Sequence, residues 1–331
     1  MAQIQTARGT IDTADLGRVL VHEHVFLMDM EYTFNYRPDF FSEKTITDAA
    51  DRLNELKAAG IDTIIDLTVL GLGRHMPTLA KAAALTDLNI IVSTGAYTFD
   101  ATPAPFQFYG PGLLKDVPEE PMVAHFVKDI SEGIADTGIR AGMLKCAIDE
   151  PGLKAGVERV MRAVAKANRI TGAPITVHTA PLQETGLIVQ RLMDEEGVDL
   201  EDLVVGHCGD TKDVDYLMKL ADRGSILGMD RFGVEFAITM QERVDTIADM
   251  VKRGYVDQLT LSHDCCCWSD FFPEVSDYHA AMPNHNYLHI HNDVIPALLE
   301  AGVGQADIDK MFVDNPRRYF EGTAKRFAAR H

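Results

Sequence analysis

The stretch AGMLKCAIDEPGLKAGVERVMRAVAKANRITGAPITVHT, residues 141–179, decides the fold. AGMLKCA (141–147) and PITVHT (174–179) are short β-rich runs. Between them GVERVMRAVAKANRITG (156–172) reads as an amphipathic helix, closed by a glycine just past a basic residue as helix C-termini tend to be. Strand, helix, strand is the unit of a parallel sheet. The same alternation repeats on both sides. Further strands are expected at VLVHEHVF (19–26), DTIIDLT (62–68), NIIVSTG (89–95), LVVGHC (203–208), SILGMD (225–230) and QLTLSHD (258–264), with helices such as TDAADRLNELKAAG and VDYLMKLADRG between them. Eight strand–helix pairs are the number that closes a barrel, so the expected fold class is α/β, a single (β/α)8 TIM barrel over residues 1–331. An open doubly wound sheet is the alternative, but no Gly-rich phosphate turn follows the first strand. No internal repeat, low-complexity tract or linker divides the chain.

The long connections follow strands, at about 27–44, 96–118 and 265–285. In a barrel these are the βα loops of the face that carries active sites. They contain Phe34, Tyr36, Phe40, Tyr97, Phe99, Phe106, Phe108, Tyr109, Trp268, Phe271 and Phe272, most of them read as loop packing and collectively as an apolar pocket mouth. The formal net charge of -19, with no basic run to offset it, argues against nucleic-acid binding. No apolar run is long enough to cross a bilayer. The N-terminus has no basic segment leading into an apolar one, so a cytoplasmic location is expected. Cys265, Cys266 and Cys267 are adjacent, cannot easily chelate one ion because neighbours alternate direction, and are expected to be small pocket-lining residues.

His22 and His24 lie two apart on the first strand and face one side, a natural metal clamp, although an HxH pair alone is equally compatible with structural histidines. Val21, Glu23 and Val25 are expected to face the helices, with Glu23 supporting a ligand or pairing with a helix. His178 and His207 end strands five and six, and Asp264 ends strand eight on the face of Thr260 and Ser262, with His263 pointing away. Lys145 sits in a strand too apolar for a solvated lysine. An ammonium there beside dications would suffer desolvation and repulsion, which carboxylation of the amine relieves; the alternative is a lysine paired to Asp264 or Asp149. His279, His285, His289 and His291 cluster, and the last three are expected on the surface of the eighth helix. His75, His125 and His331 are given no role.

HEH at 22–24, the strand-four lysine, His178, His207 and Asp264 resemble the phosphotriesterase branch of the amidohydrolase superfamily. LKCAIDEPG (144–152), GHCGD (206–210), LGMDRFG (227–233) and LSHD (261–264) resemble its phosphotriesterase-like lactonases, almost end to end through DNPRRYF. The sequence departs from many relatives in TAPLQETG after His178 and in the loop CCCWSDFFP. The resemblance implies two divalent cations: a buried one on His22, His24 and Asp264, a second on His178 and His207, and carboxylated Lys145 bridging them. Zinc comes first, with cobalt, iron or manganese acceptable to the same donors.

The implied reaction is hydrolytic ring opening of lactones, N-acyl-homoserine lactones first (quorum quenching), with secondary phosphotriesterase activity. A metal-bridging hydroxide attacks the carbonyl and Asp264 shuttles the proton. By resemblance Tyr97 hydrogen-bonds near the lactone oxygen, and Arg231 fixes the loop after strand seven; a packing tyrosine and an ion pair with Asp230 are the plainer readings. A dedicated organophosphate triester hydrolase is the alternative enzyme, and a non-catalytic binding barrel is disfavoured by the intact ligand set. The resemblance also implies a homodimer acting on a small molecule.

Overall fold

The computed structural model describes residues 2–236, 238–271, 278 and 280–330; Phe272, His279 and His331 lie outside these. An antiparallel hairpin, β1 (Gln3–Thr6) and β2 (Gly9–Asp12), precedes the main sheet. Among the described residues nine parallel strands follow: β3 (Val19–Leu27), β4 (Thr63–Asp66), β5 (Asn89–Gly95), β6 (Met143–Ala147), β7 (Ile175–His178), β8 (Leu203–Val205), β9 (Ile226–Met229), β10 (Leu259–Leu261) and β11 (Cys266–Ser269). Their spatial order runs β10-β9-β8-β7-β6-β5-β4-β3-β11. Neighbours in space are neighbours in sequence except at the end, where β11 lies beside β3 with Cys266 opposite His24.

Each expected strand is present, but the eighth differs. The run expected over 258–264 is a ladder strand only at Leu259–Leu261, and the chain then forms a ninth strand at Cys266–Ser269. Between them Asp264 N–H donates to His22 O at 3.0 Å, and His24 N–H donates to Cys265 O at 2.8 Å. The first and last members of the order are thus successive parts of one run, stitched to β3 where Asp264 sits. The sheet is curled, with helices along it, an α/β architecture of TIM-barrel-like type.

The helices form where periodicity and end signals agree. Glu43–Ala58 starts at Ser42, whose side chain accepts from Thr45 N–H. Ala155–Thr171 stops at Gly172, which takes the left-handed φ of 70° that a side chain resists. The larger apolar cluster lies between these helices and the sheet, with Leu20, Val25, Leu144, Val177, Leu227, Leu259 and Leu261 contributing from the strands. A smaller cluster takes Val19, Val21, Ile65, Ile91, Met143, Val204 and Ile226 from the main sheet, with Leu67 just past β4, Ile4 and Phe320, and fills the concave side. Val21 therefore faces inward rather than toward the helices. The cause is a register shift between Leu20 and Glu23 on β3, which breaks strict alternation just before the histidines.

Among the described residues no helix is long and apolar enough to cross a membrane. His285 and His289 are buried, not on a helix surface: His285 Nε2 donates to His263 O at 2.9 Å, and His289 Nδ1 pairs at 2.8 Å with Asp293, whose side chain reaches solvent.

Candidate metal centre

The C-terminal ends of the strands bring the expected residues together. His22 and His24 project from β3, Lys145 from β6, His178 from the end of β7, His207 from just past β8, and Asp264 from the stitch between β10 and β11. The histidines and the lysine are buried, and the Asp264 side chain is 17% exposed. His207 and Asp264 adopt left-handed backbone angles, φ 63° and 58°. For residues with a side chain such angles are uncommon and persist only where surroundings enforce them. Each is held by a buried carboxylate. Asp230 Oδ1 accepts from His207 N–H at 2.7 Å. Glu23 accepts from the amides on both sides of Asp264, His263 N–H and Cys265 N–H, each at 2.9 Å. It also bonds His263 Nδ1 at 2.8 Å, so His263 points away from the centre as alternation requires.

Asp230 organises the opposite wall. Its two oxygens meet His22 Nδ1 at 2.7 Å and His207 Nδ1 at 2.9 Å. A carboxylate accepts only, so both imidazoles carry their proton on Nδ1 and present a bare Nε2 to the centre. Thr68 Oγ1 lies 2.8 Å from His24 Nδ1 and orients that ring, a hydroxyl being able to donate or accept there. Inside, His24 Nε2 lies 3.1 Å and His22 Nε2 3.4 Å from Asp264 Oδ1. Lys145 Nζ is 3.2 Å from His22 Nε2, and neither Asp264 nor Asp149 bonds it. His207 Nε2 is 2.7 Å from His178 Nδ1, while Asp149 holds His178 Nε2 at 3.1 Å. His22, His24 and Asp264 form a group able to hold a metal ion. His22, His207 and Asp230 form a second by proximity, but Asp230 is already engaged by their N–H groups and serves as their support.

Electrostatics suit ligation, which needs neutral imidazole and ionised carboxylate. Burial lowers the pKa of His22, lowers that of His207 well below the usual value, and takes His178 down to about 4. Burial pushes Asp264 up, but His22, His24, His207 and Arg231 outweigh it and hold the carboxyl well below its ordinary range. Burial also lowers Lys145 to about 8, against the attraction of Asp264 and Asp230.

Arg231 does not pair with Asp230. Its Nε donates to Asp264 Oδ2 at 3.1 Å and its Nη1 to Asp210 Oδ2 at 3.0 Å. Tyr97 places its hydroxyl 3.4 Å from His178 Nδ1 and its ring edge-on to His178. Of the loop aromatics, Phe40 and Phe106 are buried packing, whereas Phe34, Tyr36, Phe108 and Phe271 are exposed. Cys265, Cys266 and Cys267 line cavities to which none of the expected ligands contributes. One of about 290 Å³ is shared by Cys266, Cys267, Trp268 and Arg52. Sequence reasoning named neither Asp230 nor Asp210 as a working residue. The available signal was Gly228: a Cβ there would come within 2.5 Å of Asp230 Oδ2, so the glycine is the space into which that carboxylate folds.

Comparison with known proteins agrees with this geometry. Residues 2–320 match the model of the Phosphotriesterase family. The chain is similar to the "Phosphotriesterase homology protein" of two strains of Mycobacterium tuberculosis, 56% identical over 322 residues, covering 97% of this chain and 98% of the relative. It is also similar to the "Aryldialkylphosphatase" of Saccharolobus solfataricus, 36% identical over 95% of this chain and 98% of that protein. Among solved structures, that of the phosphotriesterase from Mycobacterium tuberculosis superposes with a TM-score of 0.94 at 55% identity, covering 97% of this chain and 98% of the other.

Proposed function

The chain belongs to the phosphotriesterase family, and on that premise we propose that it is a metal-dependent lactonase with secondary activity on phosphotriesters. The observation that carries this reading is the convergence of the Nε2 atoms of His22, His24 and His207, the Asp264 carboxylate and a buried lysine on one focus, with Asp230 fixing two of the rings from behind. We take the stitched sheet as an (β/α)8 barrel and the chain as one cytoplasmic domain that forms a homodimer.

The donors fit two divalent cations. His22, His24 and Asp264 would hold one, His178 and His207 the other, with Lys145 carboxylated on Nζ between them. Zinc is the first choice of metal, with cobalt, iron and manganese compatible. When bound, such a pair supplies Lewis acidity and makes water nucleophilic near neutral pH. A lysine whose pKa is lowered to about 8 keeps a usable share of free amine to react with carbon dioxide. Asp264 accepts the proton released from water and passes it to the leaving alkoxide. Arg231, held on Asp264 Oδ2, leaves Oδ1 turned toward His22 and His24. The Tyr97 hydroxyl stands beside His178, where it can donate to the ring oxygen of a lactone. N-acyl-homoserine lactones are the proposed substrates.

A pH-indicator assay over lactones and neutral phosphotriesters, with and without chelator, tests the reading. Chelator-sensitive lactone hydrolysis with the higher kcat/KM is expected. The similarity to an aryldialkylphosphatase favours a second reading, a dedicated organophosphate triester hydrolase. A kcat/KM that favours the triester would select it.

A further inference from the structure

Arg243 is fully buried on the helix Met240–Lys252, at no atom of the ligand cluster, yet it ends an alternating chain of charge that reaches the centre. Its Nη2 donates to Asp210 Oδ1 at 2.7 Å and its Nη1 to Ile238 O at 2.7 Å. The other oxygen of Asp210 accepts from Arg231 Nη1 at 3.0 Å, and Arg231 Nε–H donates to Asp264 Oδ2 at 3.1 Å. Burying a guanidinium is costly unless it is paired, and here Nε has no partner among the described residues. Packing alone would be met by an apolar side chain of the same volume.

We propose that Arg243 is a positioning residue for Asp264, acting through Asp210 and Arg231. By occupying Asp210 Oδ1 it competes with a second bond from Arg231 to that carboxylate. The bidentate geometry with both arms of the Arg231 guanidinium on Asp210 is then disfavoured, and its Nε remains on Asp264. Asp264 is thereby held with Oδ2 outward and Oδ1 toward His22 and His24. The inference rests on the reading of Asp264 as the proton acceptor of the proposed hydrolysis.

The test uses the full-length, metal-loaded protein with Arg243→Met, Arg243→Lys, Asp210→Asn and the Arg243→Met/Asp210→Asn double variant. Arg243→Met is expected to lower kcat about ten- to a hundredfold, the range for losing a residue that orients a ligand, with KM little changed. Arg243→Lys keeps the cation and one bond and restores part of the loss, which keeps the test decisive if the methionine variant folds poorly. In the Asp210→Asn background, Arg243→Met should cost little more, because both act along one path. A rise in KM with kcat intact, or independent, multiplying losses, overturns the proposal. A crystal structure of Arg243→Met should show Arg231 withdrawn from Asp264 with the helix in place; an unchanged Arg231–Asp264 contact overturns it as well. That structure is informative even if the wild-type protein hydrolyses neither lactones nor phosphotriesters, so failure of the functional reading and failure of the positioning role are told apart.

Discussion

Asp264 and Tyr97 divide the proposed work unequally. Asp264→Asn removes the charged ligand atom and the proton acceptor together, so near-total loss of kcat is expected for lactone and phosphotriester alike. Tyr97→Phe deletes one hydroxyl. A single donor to a developing oxyanion contributes up to about 2.7–4 kcal/mol, so lactone turnover should fall roughly ten- to a thousandfold. Phosphotriesters with a stabilised phenolate leaving group should lose less, and equal losses on both would remove Tyr97 from lactone chemistry. Asp230→Asn makes a sharper case. An amide in place of the carboxylate offers N–H to one of the two imidazoles, whose proton must then move to Nε2 and point into the metal site. Metal affinity should drop about ten- to a hundredfold, read by competition with a chromogenic chelator, with the circular dichroism spectrum unchanged. His22, His24, Lys145, His178, His207 and Asp264 were legible because each ends or lines a strand whose neighbours are apolar. Asp230 was not, since an acid at a strand end looks the same whether it binds an ion or two imidazole N–H groups.

At the scale of elements, alternation located the strands and predicted correctly that Asp264 turns in and His263 out. It failed at Val21, where the register shift on β3 lets consecutive residues 21 and 22 both face inward. Such shifts leave no mark on the hydrophobic pattern. The segment after β11 was misread for a related reason. His285 and His289 look like part of a surface helix, yet Tyr287 donates to His24 O, His285 to His263 O, and Ile290 N–H to His263 Nε2, so the segment packs inward. These bonds brace His24, next to Glu23 in the chain, and His263, which Glu23 holds. Glu23→Gln replaces one of its two accepting oxygens by a donor facing an amide N–H, which costs about 1–3 kcal/mol for an unsatisfied buried group. The urea midpoint should fall accordingly, and metal should be lost more readily because the left-handed turn at Asp264 is no longer held from both sides. A variant as stable as wild type would mean that the turn holds itself.

For the molecule as a whole, metal and pH are the informative variables. Protein purified without chelators should approach about two transition-metal ions per chain by elemental analysis, as binuclear hydrolytic sites require. Saturation of an active sample at one would remove the binuclear centre, and Lys145→Ala should lose most of the metal. Burial takes His263 down to about 3 and His285 to about 4 from a usual 6.5. The unfolded chain then binds more protons between those values, so stability rises with pH across the window. It is complete above about 6.5 and declines as pH falls toward 4 and below, by on the order of a few kcal/mol in all. Urea unfolding of the metal-free protein between pH 7 and 4 should show a falling midpoint. A flat profile would place these rings in contact with water.

The stitch between β10 and β11 couples wear to function. Any fraying that parts residues 264 and 265 from β3 breaks the bonds to His22 O and from His24 N–H, and carries the Asp264 carboxylate away with it. The protein therefore has a fuse: heat should silence it while most of its helices are still intact. Loss of turnover on warming should precede loss of ellipticity, and amide exchange at His24 and Asp264 should accelerate in step with the former. Reinforcing that one joint, rather than the apolar core, is then the shortest route to a longer working life.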